Sequence, residues 1–171
     1  IECFHPGKGL FMGVKASDIT FSDSLTFAPV LNKNMQTSDN IVSPGVSAFS
    51  PDGNFLFIYD VYYGKLHWFS VNELVSYSQM LALGDLVPDA QPYSYYSFTK
   101  FMFDSQRNLL YALDTNKNIL AFIDPGTLAI EKTIITGSRP ADMSINENGD
   151  KMYVANYGAT SIIEVDLAAQ A

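Results

Sequence analysis

Residues 53–60 read GNFLFIYD, a turn followed by an unbroken apolar run around an aromatic ring, and the phrase returns as residues 7–13 (GKGLFMG), 107–114 (RNLLYALD) and 149–156 (GDKMYVAN). Aligned on Phe11, Phe57, Tyr111 and Tyr153, the phrases stand 46, 54 and 42 residues apart. That range matches the four-stranded blade of a β-propeller rather than a helical or leucine-rich repeat. Within the run, Phe55, Phe57 and Tyr59 fall on one side of a strand and Leu56 and Ile58 on the other. Both sides are apolar, as expected of a strand covered on both faces by neighbouring sheets. On this reading Tyr153 fills a site between blades, and Tyr153→Ala should cost on the order of 3 kcal/mol.

Working outward from these second strands, the first strands are expected at 1–4, 46–49, 99–103 and 142–145, and the third at 19–22, 66–71, 119–124 and 162–166. Fourth strands are expected at 26–31, 74–83 and 128–135, where apolar and polar residues alternate as on a half-exposed outer strand. After Asp166 too few residues follow for another strand. The expectation is an all-β fold, a β-propeller of about four four-stranded antiparallel blades, the last incomplete. It forms one domain over 1–171 with repeat units of approximately 1–40, 41–92, 93–137 and 138–171. The incomplete blade leaves an open edge with no spare strand to close it. The chain therefore reads as an arc completed by further blades from the same or another chain, the alternative being a small four-bladed ring. Its opening at Ile1 rather than Met implies that an upstream portion has been removed.

Composition narrows the partners. The 171 residues are 47% apolar and 13% aromatic, enough for a sheet-rich core. Ten basic against eighteen acidic residues give a net charge of −8, and Lys and Arg are nowhere clustered. Nucleic acid and anionic membrane are therefore disfavoured, and no apolar run approaches the roughly 18 residues of a membrane-inserted helix. The single cysteine, Cys3, excludes an intrachain disulfide and a CxxCH haem attachment, and reads as a small apolar strand residue rather than a reactive thiol.

Residues 44–59 (PGVSAFSPDGNFLFIY) and 140–166 (PADMSINENGDKMYVANYGATSIIEVD) resemble the YVTN class of propeller repeat, known from bacterial and archaeal surface and secreted proteins. The resemblance implies a propeller fold and an extracytoplasmic location: secreted, periplasmic or on the cell surface. The third unit departs from the pattern, with Phe98 for the opening Pro and Arg107 for the turn Gly, and the first has a shorter turn around Pro6 and Gly7. Asp52–Gly53 and Asn148–Gly149 supply the positive φ of a tight hairpin. A calcium loop would need a Asp-x-Asp-x-Asp-Gly ladder, which neither place has.

In propeller geometry the loops leaving the second strands share a face with those entering the first strands, and that face usually binds. It would carry Tyr62, Tyr63, Gly64 and Lys65, then Thr115, Asn116 and Lys117, then Tyr157, Gly158 and Thr160. The long step inserts residues between Gly84 and Tyr96, among them Tyr93, Tyr95 and Tyr96. Candidate ligand-binding residues are thus Tyr62, Tyr63, Tyr93, Tyr95, Tyr96 and Tyr157, with Asp60 and Asp114 beside them. Tyrosine offers contact area and a hydroxyl at low entropic cost, which suits protein or carbohydrate recognition. The plainer reading is that several of these rings pack between blades.

Catalysis finds little in the sequence. His5 and His67 are not placed to share a metal, and no GxSxG elbow occurs. Asp60 and Asp114 are equivalent in neighbouring units; brought together, like charges would raise one pKa and create an acid. The plainer reading has each bonding its own loop backbone. No catalytic residue, metal site or cofactor is expected, and the function read here is a non-enzymatic recognition or structural scaffold. Residues 153–158 (YVANYG) also resemble a repeat of the seven-bladed lactonase family, which implies the alternative of an enzyme's propeller portion. A redox enzyme of the haem d1 or amine dehydrogenase kind is a further form of that alternative.

Overall fold

The computed structural model describes residues 2–4, 10–15, 18–23, 29–34, 44–62, 64–70 and 96–170. The chain divides into two compact units, Ile1–Ser94 and Tyr95–Ala171. Each holds two antiparallel sheets built from consecutive strands.

In the first unit one sheet runs β1 (Glu2–Phe4), β2 (Leu10–Lys15), β3 (Asp18–Asp23) and β4 (Pro29–Asn34), and the other runs β5 (Pro44–Phe49), β6 (Phe55–Asp60) and β7 (Lys65–Ser70). Cys3 pairs with Met12 in the first of these sheets. The second unit has a sheet of β8 (Phe98–Asp104), β9 (Leu109–Asp114), β10 (Ile119–Ile123) and β11 (Ile130–Ile135), and a sheet of β12 (Pro140–Ile145), β13 (Lys151–Asn156) and β14 (Ser161–Asp166). A short 3-10 helix, Ala168–Gln170, stands where a fourth strand of the last sheet would begin. Each expected first, second and third strand is present, with ends moved by a residue or two. The fourth strand expected at 26–31 lies at Pro29–Asn34, and the one expected at 74–83 is outside the described residues.

The turns between first and second strands follow the backbone chemistry of their residues. Gly53 and Gly149 sit at φ 70° and 74° and donate their N–H groups to Ser50 O and Asn146 O. Asp52 holds its turn by accepting from Asn54 N–H at 3.0 Å, and the Ser50 hydroxyl on the same carboxylate holds its pKa below the usual range. In the third repeat, where Arg107 replaces the Gly, the left-handed residue is Asn108 at φ 52°, one position later. Asn tolerates that region better than other non-glycine residues.

The second unit's core lies between its two sheets. Tyr111, Leu113, Leu120 and Phe122 from the first sheet face Met143, Met152, Val154 and Val165 from the second, with Leu167 beyond β14 completing the cluster. The Tyr111 and Phe122 rings meet edge-on, 5.0 Å between centroids. Each buried side chain of this size contributes roughly 1.5–3 kcal/mol. The turn regions are tied as well. Asp104, at the end of β8, accepts from Tyr111 Oη and Arg107 Nη1, both at 2.9 Å, and Arg107 Nη1 also donates to Gly149 O at 2.7 Å. Burial alone would raise the Asp104 pKa. The bonds from the Arg107 guanidinium, the Tyr111 hydroxyl and the Arg107 and Gln106 amides outweigh it and hold the carboxyl below the usual range. Burial and the Asp104 carboxylate push the Tyr111 hydroxyl well above its ordinary value.

One expectation is overturned. Phe57 and Tyr111 are buried, whereas Tyr153 is 37% exposed, and β13 alternates between the two environments. The aromatic anchor marks the same side of each sheet. In β9 that side is covered by β12–β14; within the second unit the same side of β13 carries Tyr153 beside Glu164. Met152 and Val154 point into the core instead, so the cost assigned to Tyr153 belongs to them.

Candidate functional site

Three residues at the ends of second strands organise the loops that follow: Asp60, Asp114 and Asn156. They pair with Pro44, Phe98 and Pro140 at the starts of the first strands, and in each sheet the register shifts at that point. A bulge there re-aims the entering chain, and proline suits it because it has no N–H to contribute to the ladder. All three side chains are buried.

In the first unit Asp60 Oδ1 accepts the Tyr62 N–H at 2.9 Å, an Asx turn that lifts Val61 and Tyr62 off the end of the sheet. Tyr62 is 69% exposed. A side chain at Gly45 would strike Val61 Cγ2 and Tyr59 O, so glycine there lets the entering strand pass under the loop. Tyr63 lies outside the described residues, as do Tyr93, Tyr95 and His5. His67 is buried within β7, paired with Ile58.

In the second unit Asp114 does more. Its Oδ1 accepts the Asn116 and Lys117 N–H groups at 2.9 and 2.8 Å, and its Oδ2 accepts the Ser97 N–H at 2.7 Å. One carboxylate thus closes the loop leaving β9 and anchors the segment entering β8. Tyr96 is half-buried, stacked on Phe98 at 5.2 Å, with Lys117 Nζ 4.0 Å from its ring centre. The Thr115 hydroxyl donates to Pro140 O at 2.9 Å and, its proton being used, accepts from Thr99 at 2.8 Å. Asn118 Oδ1 accepts the Arg139 N–H at 2.7 Å. Asn156 does not play the part of its counterparts: its Oδ1 is buried and accepts no hydrogen bond from the described residues. Its Nδ2 reaches back to Val154 O, and the amides of Tyr157 and Gly158 bond Arg139 O and Ser138 O instead. The result is a short 3-10 helix, Tyr157–Ala159, ending on Thr160 in the left-handed region at φ 49°. Tyr157 is 78% exposed, and beside it a cavity of about 410 Å³ is lined by Ala141, Ala155, Asn156, Thr160, Ser161 and Ile162.

Of the residues singled out from sequence, Tyr62 and Tyr157 are on the surface, Tyr96 is half-covered beneath Lys117, and Asp60 and Asp114 lie under their loops bonded to backbone. Arg139 and Ser138 were missed. Their signal was the GSRP run at 137–140, the only connection between two apolar stretches to combine Gly, Ser and a cation before the opening Pro. Among the described residues no group of three His, Cys, Asp or Glu could hold a metal ion.

No protein-family model matches the chain, and no curated protein sequence matches it. Solved structures do. Hydrazine synthase of Kuenenia stuttgartiensis superposes with a TM-score of 0.72 at 16% identity, over 98% of this chain and 46% of that one. The dihydro-heme d1 dehydrogenase NirN, solved in complex with DHE, superposes with a TM-score of 0.66 at 15% identity, over 100% of this chain and 35% of that one. Both contain β-propeller domains.

The fold is of the β-propeller type. The sheets described above are its blades, and the loops organised by Asp60, Asp114 and Asn156 are blade connections. At these identities the likeness carries the fold and nothing finer, and the YVTN repeat family is not singled out by it. The chain spans less than half the length of these two solved structures.

Proposed function

We propose that this chain is a non-enzymatic recognition scaffold, a propeller of the YVTN kind that acts outside the cytoplasm and binds a protein or carbohydrate through its blade-connecting loops. One observation carries the reading. The acidic groups nearest those loops, Asp60 in the first unit and Asp114 in the second, are buried and spent on backbone N–H groups, while Tyr62 in the first unit and Lys117, Tyr157 and Thr160 in the second stand exposed on loops of the same class. Carboxylates so engaged stiffen loops, and stiff loops that carry exposed tyrosines lose little entropy on binding. The net charge of −8 speaks against nucleic acid and anionic membrane as the partner.

The test is a glycan array together with immobilised candidate surface proteins, probed with the wild type and with a Tyr62→Ala/Tyr157→Ala variant. Capture by the wild type, lost in a variant whose melting is unchanged, supports the reading. Capture that survives the double substitution refutes it.

A second reading is favoured by the solved structures alone, a hydrazine synthase and a dihydro-heme d1 dehydrogenase: the chain is the propeller portion of a redox enzyme. Titrating the purified chain with haem and following the Soret band separates the two. A saturable spectral shift at one haem per chain supports the second reading and counts against the first.

A further inference from the structure

We propose that Asn148 is a site of spontaneous modification, deamidating through Gly149, and that the bond from Arg107 to the Gly149 carbonyl gates the reaction. Residues 146–151 (NENGDK) hold the one Asn-Gly pair in the sequence. Glycine has no Cβ to shield its backbone nitrogen and passes freely between backbone conformations. In the reaction the Gly149 nitrogen loses its proton and bonds Asn148 Cγ, Nδ2 leaves as ammonia, and water opens the cyclic imide at either carbonyl. The product at 148 is aspartate or, with one more carbon in the main chain, isoaspartate.

The turn at 50–55 has the same build and shows what is missing at 148. The Ser50 and Asn146 N–H groups donate to Phe55 O and Lys151 O, both at 2.9 Å, and Gly53 and Gly149 stand at φ 70° and 74°. In the first turn the Asp52 carboxylate is held by the Ser50 hydroxyl, the Asn54 N–H and Asn54 Nδ2. At the equivalent place in the second, the Asn148 side chain is exposed and bonds none of the described residues. Asn146, which replaces Ser50, is spent on Asp150 Oδ1 and the Lys151 N–H, and Asp150, which replaces Asn54, has no side-chain donor. Asn148 Cγ is thus untethered and reaches the Gly149 nitrogen whenever that nitrogen is open to attack.

In the closed turn it is not open. Gly149 is buried, and its N–H donates to Asn146 O at 3.0 Å. The bonds quoted so far that keep the turn shut are internal to the hairpin, and Arg107 adds one from the turn between β8 and β9. Its Nη1 donates to Gly149 O at 2.7 Å and to Asp104 Oδ2 at 2.9 Å, so the brace is anchored at both ends. Arg107 is a positioning residue: it acts on the turn and touches none of the reacting atoms. The change is also one-way. Isoaspartate lengthens the main chain beside Gly149 and draws its carbonyl away from Arg107, and the new carboxylate stands between Glu147 and Asp150 in a turn that is already acidic. The modified chain therefore has a weaker tie between the β8–β9 and β12–β13 turns.

Incubating the folded chain in mildly alkaline buffer beside the urea-unfolded chain, and mapping deamidation by peptide mass spectrometry, tests the proposal. Asn148 should be the first asparagine converted, and more slowly in the folded chain than in the unfolded one. Hydrogen exchange at the Gly149 amide should be protected by the same factor, because one opening exposes that nitrogen to solvent and to Asn148. Arg107→Ala should speed conversion about tenfold, the rise in open turn expected when one hydrogen bond to a charged group is lost. Tyr111→Phe takes a bond from Asp104 but leaves Arg107 on Gly149, and should change the rate far less. Circular dichroism checks that both variants are folded. Another asparagine converting first, equal rates in the folded and unfolded chains, or a rate that does not follow Gly149 protection would overturn the proposal. So would an unchanged rate in Arg107→Ala, or equal acceleration in both variants.

Discussion

Replacing Asp104 with Ala should be among the most damaging single changes in the second unit. The carboxylate is 4% exposed and accepts four hydrogen bonds: from Tyr111 Oη and Arg107 Nη1 at 2.9 Å each, and from the Gln106 and Arg107 N–H groups at 2.9 and 3.2 Å. Removing it takes away hydrogen bonds to a charged acceptor, each contributing about 1.5–3 kcal/mol, and leaves a buried Tyr hydroxyl unsatisfied at a further 1–3 kcal/mol or so. Arg107 keeps its bond to Gly149 O, and the Gln106 and Arg107 groups lie in a solvent-accessible turn where water replaces the carboxylate, which leaves chiefly the Tyr111 bond and its orphaned hydroxyl in the sum. The expected loss is about 4 kcal/mol, a fall in Tm of roughly 10 °C for a chain of this size. Tyr111→Phe removes only one of these bonds and should cost about 1.5–3 kcal/mol. In the double variant the two costs should fall short of additivity by about 1–2 kcal/mol, since without Asp104 the hydroxyl is already an orphan.

The same group sets a pH signature. The folded Asp104 carboxyl titrates below its unfolded value, so its contribution is fully present above the unfolded pKa near 4 and is lost as pH falls through the folded pKa. Tyr111 titrates higher in the folded chain, so its contribution is present below its unfolded pKa near 10 and is lost as pH rises through the folded value. Urea unfolding of the wild type and of Asp104→Asn at neutral pH and near pH 3 reads the first window directly. The gap between the two proteins should narrow as the pH falls. An Asp104→Ala cost under about 1 kcal/mol, or a gap that stays constant with pH, would refute the reasoning.

Three further outcomes follow from the same structure. Met152→Ala should cost about 2–5 kcal/mol and Tyr153→Ala well under half of that, because Met152 is fully buried and Tyr153 is not; urea midpoints at low protomer concentration measure both. Gly149→Ala places a side chain at φ 74° and against the Gln106 amide and should cost about 1–2 kcal/mol in thermal melts, whereas Gly126→Ala, near only Asp124 Oδ1 at 3.3 Å, should be close to neutral. Lys117→Ala removes the cation over Tyr96 and should cost about 0.5–1 kcal/mol by the same assay, with Lys117→Arg recovering most of it.

How much of this was legible beforehand depends on what a residue's role requires. The blades were readable because backbone chemistry is local: Gly53 and Gly149 mark left-handed turns wherever they fall, and an aromatic-centred apolar run pairs as a strand in any sheet. The exposure of Tyr153 was not readable, because burial is set by what packs against a strand and the repeat does not encode that. The candidate site divides in the same way. That Asp60 and Asp114 bond their own loops follows from an Asx turn two residues long, which a sequence can suggest. That Asp114 also holds Ser97, seventeen residues earlier in the chain, depends on strand register that only the fold supplies.

Asn156 carries the point further. The exchange of carboxylate for amide at an otherwise equivalent position looks conservative in sequence. Yet among the described residues no N–H reaches Asn156 Oδ1, although it is buried, and the Tyr157 and Gly158 amides of the loop beyond it bond Arg139 O and Ser138 O instead. That redirected bonding leaves Tyr157 exposed and sets the cavity beside Ile162. If the redirection is what shapes the loop, Asn156→Asp should recapture the Tyr157 or Gly158 amide, and amide hydrogen exchange at those two residues would change while β13 stays protected. Unchanged exchange there would mean that the entering segment at 137–140, and not the identity of residue 156, dictates the loop.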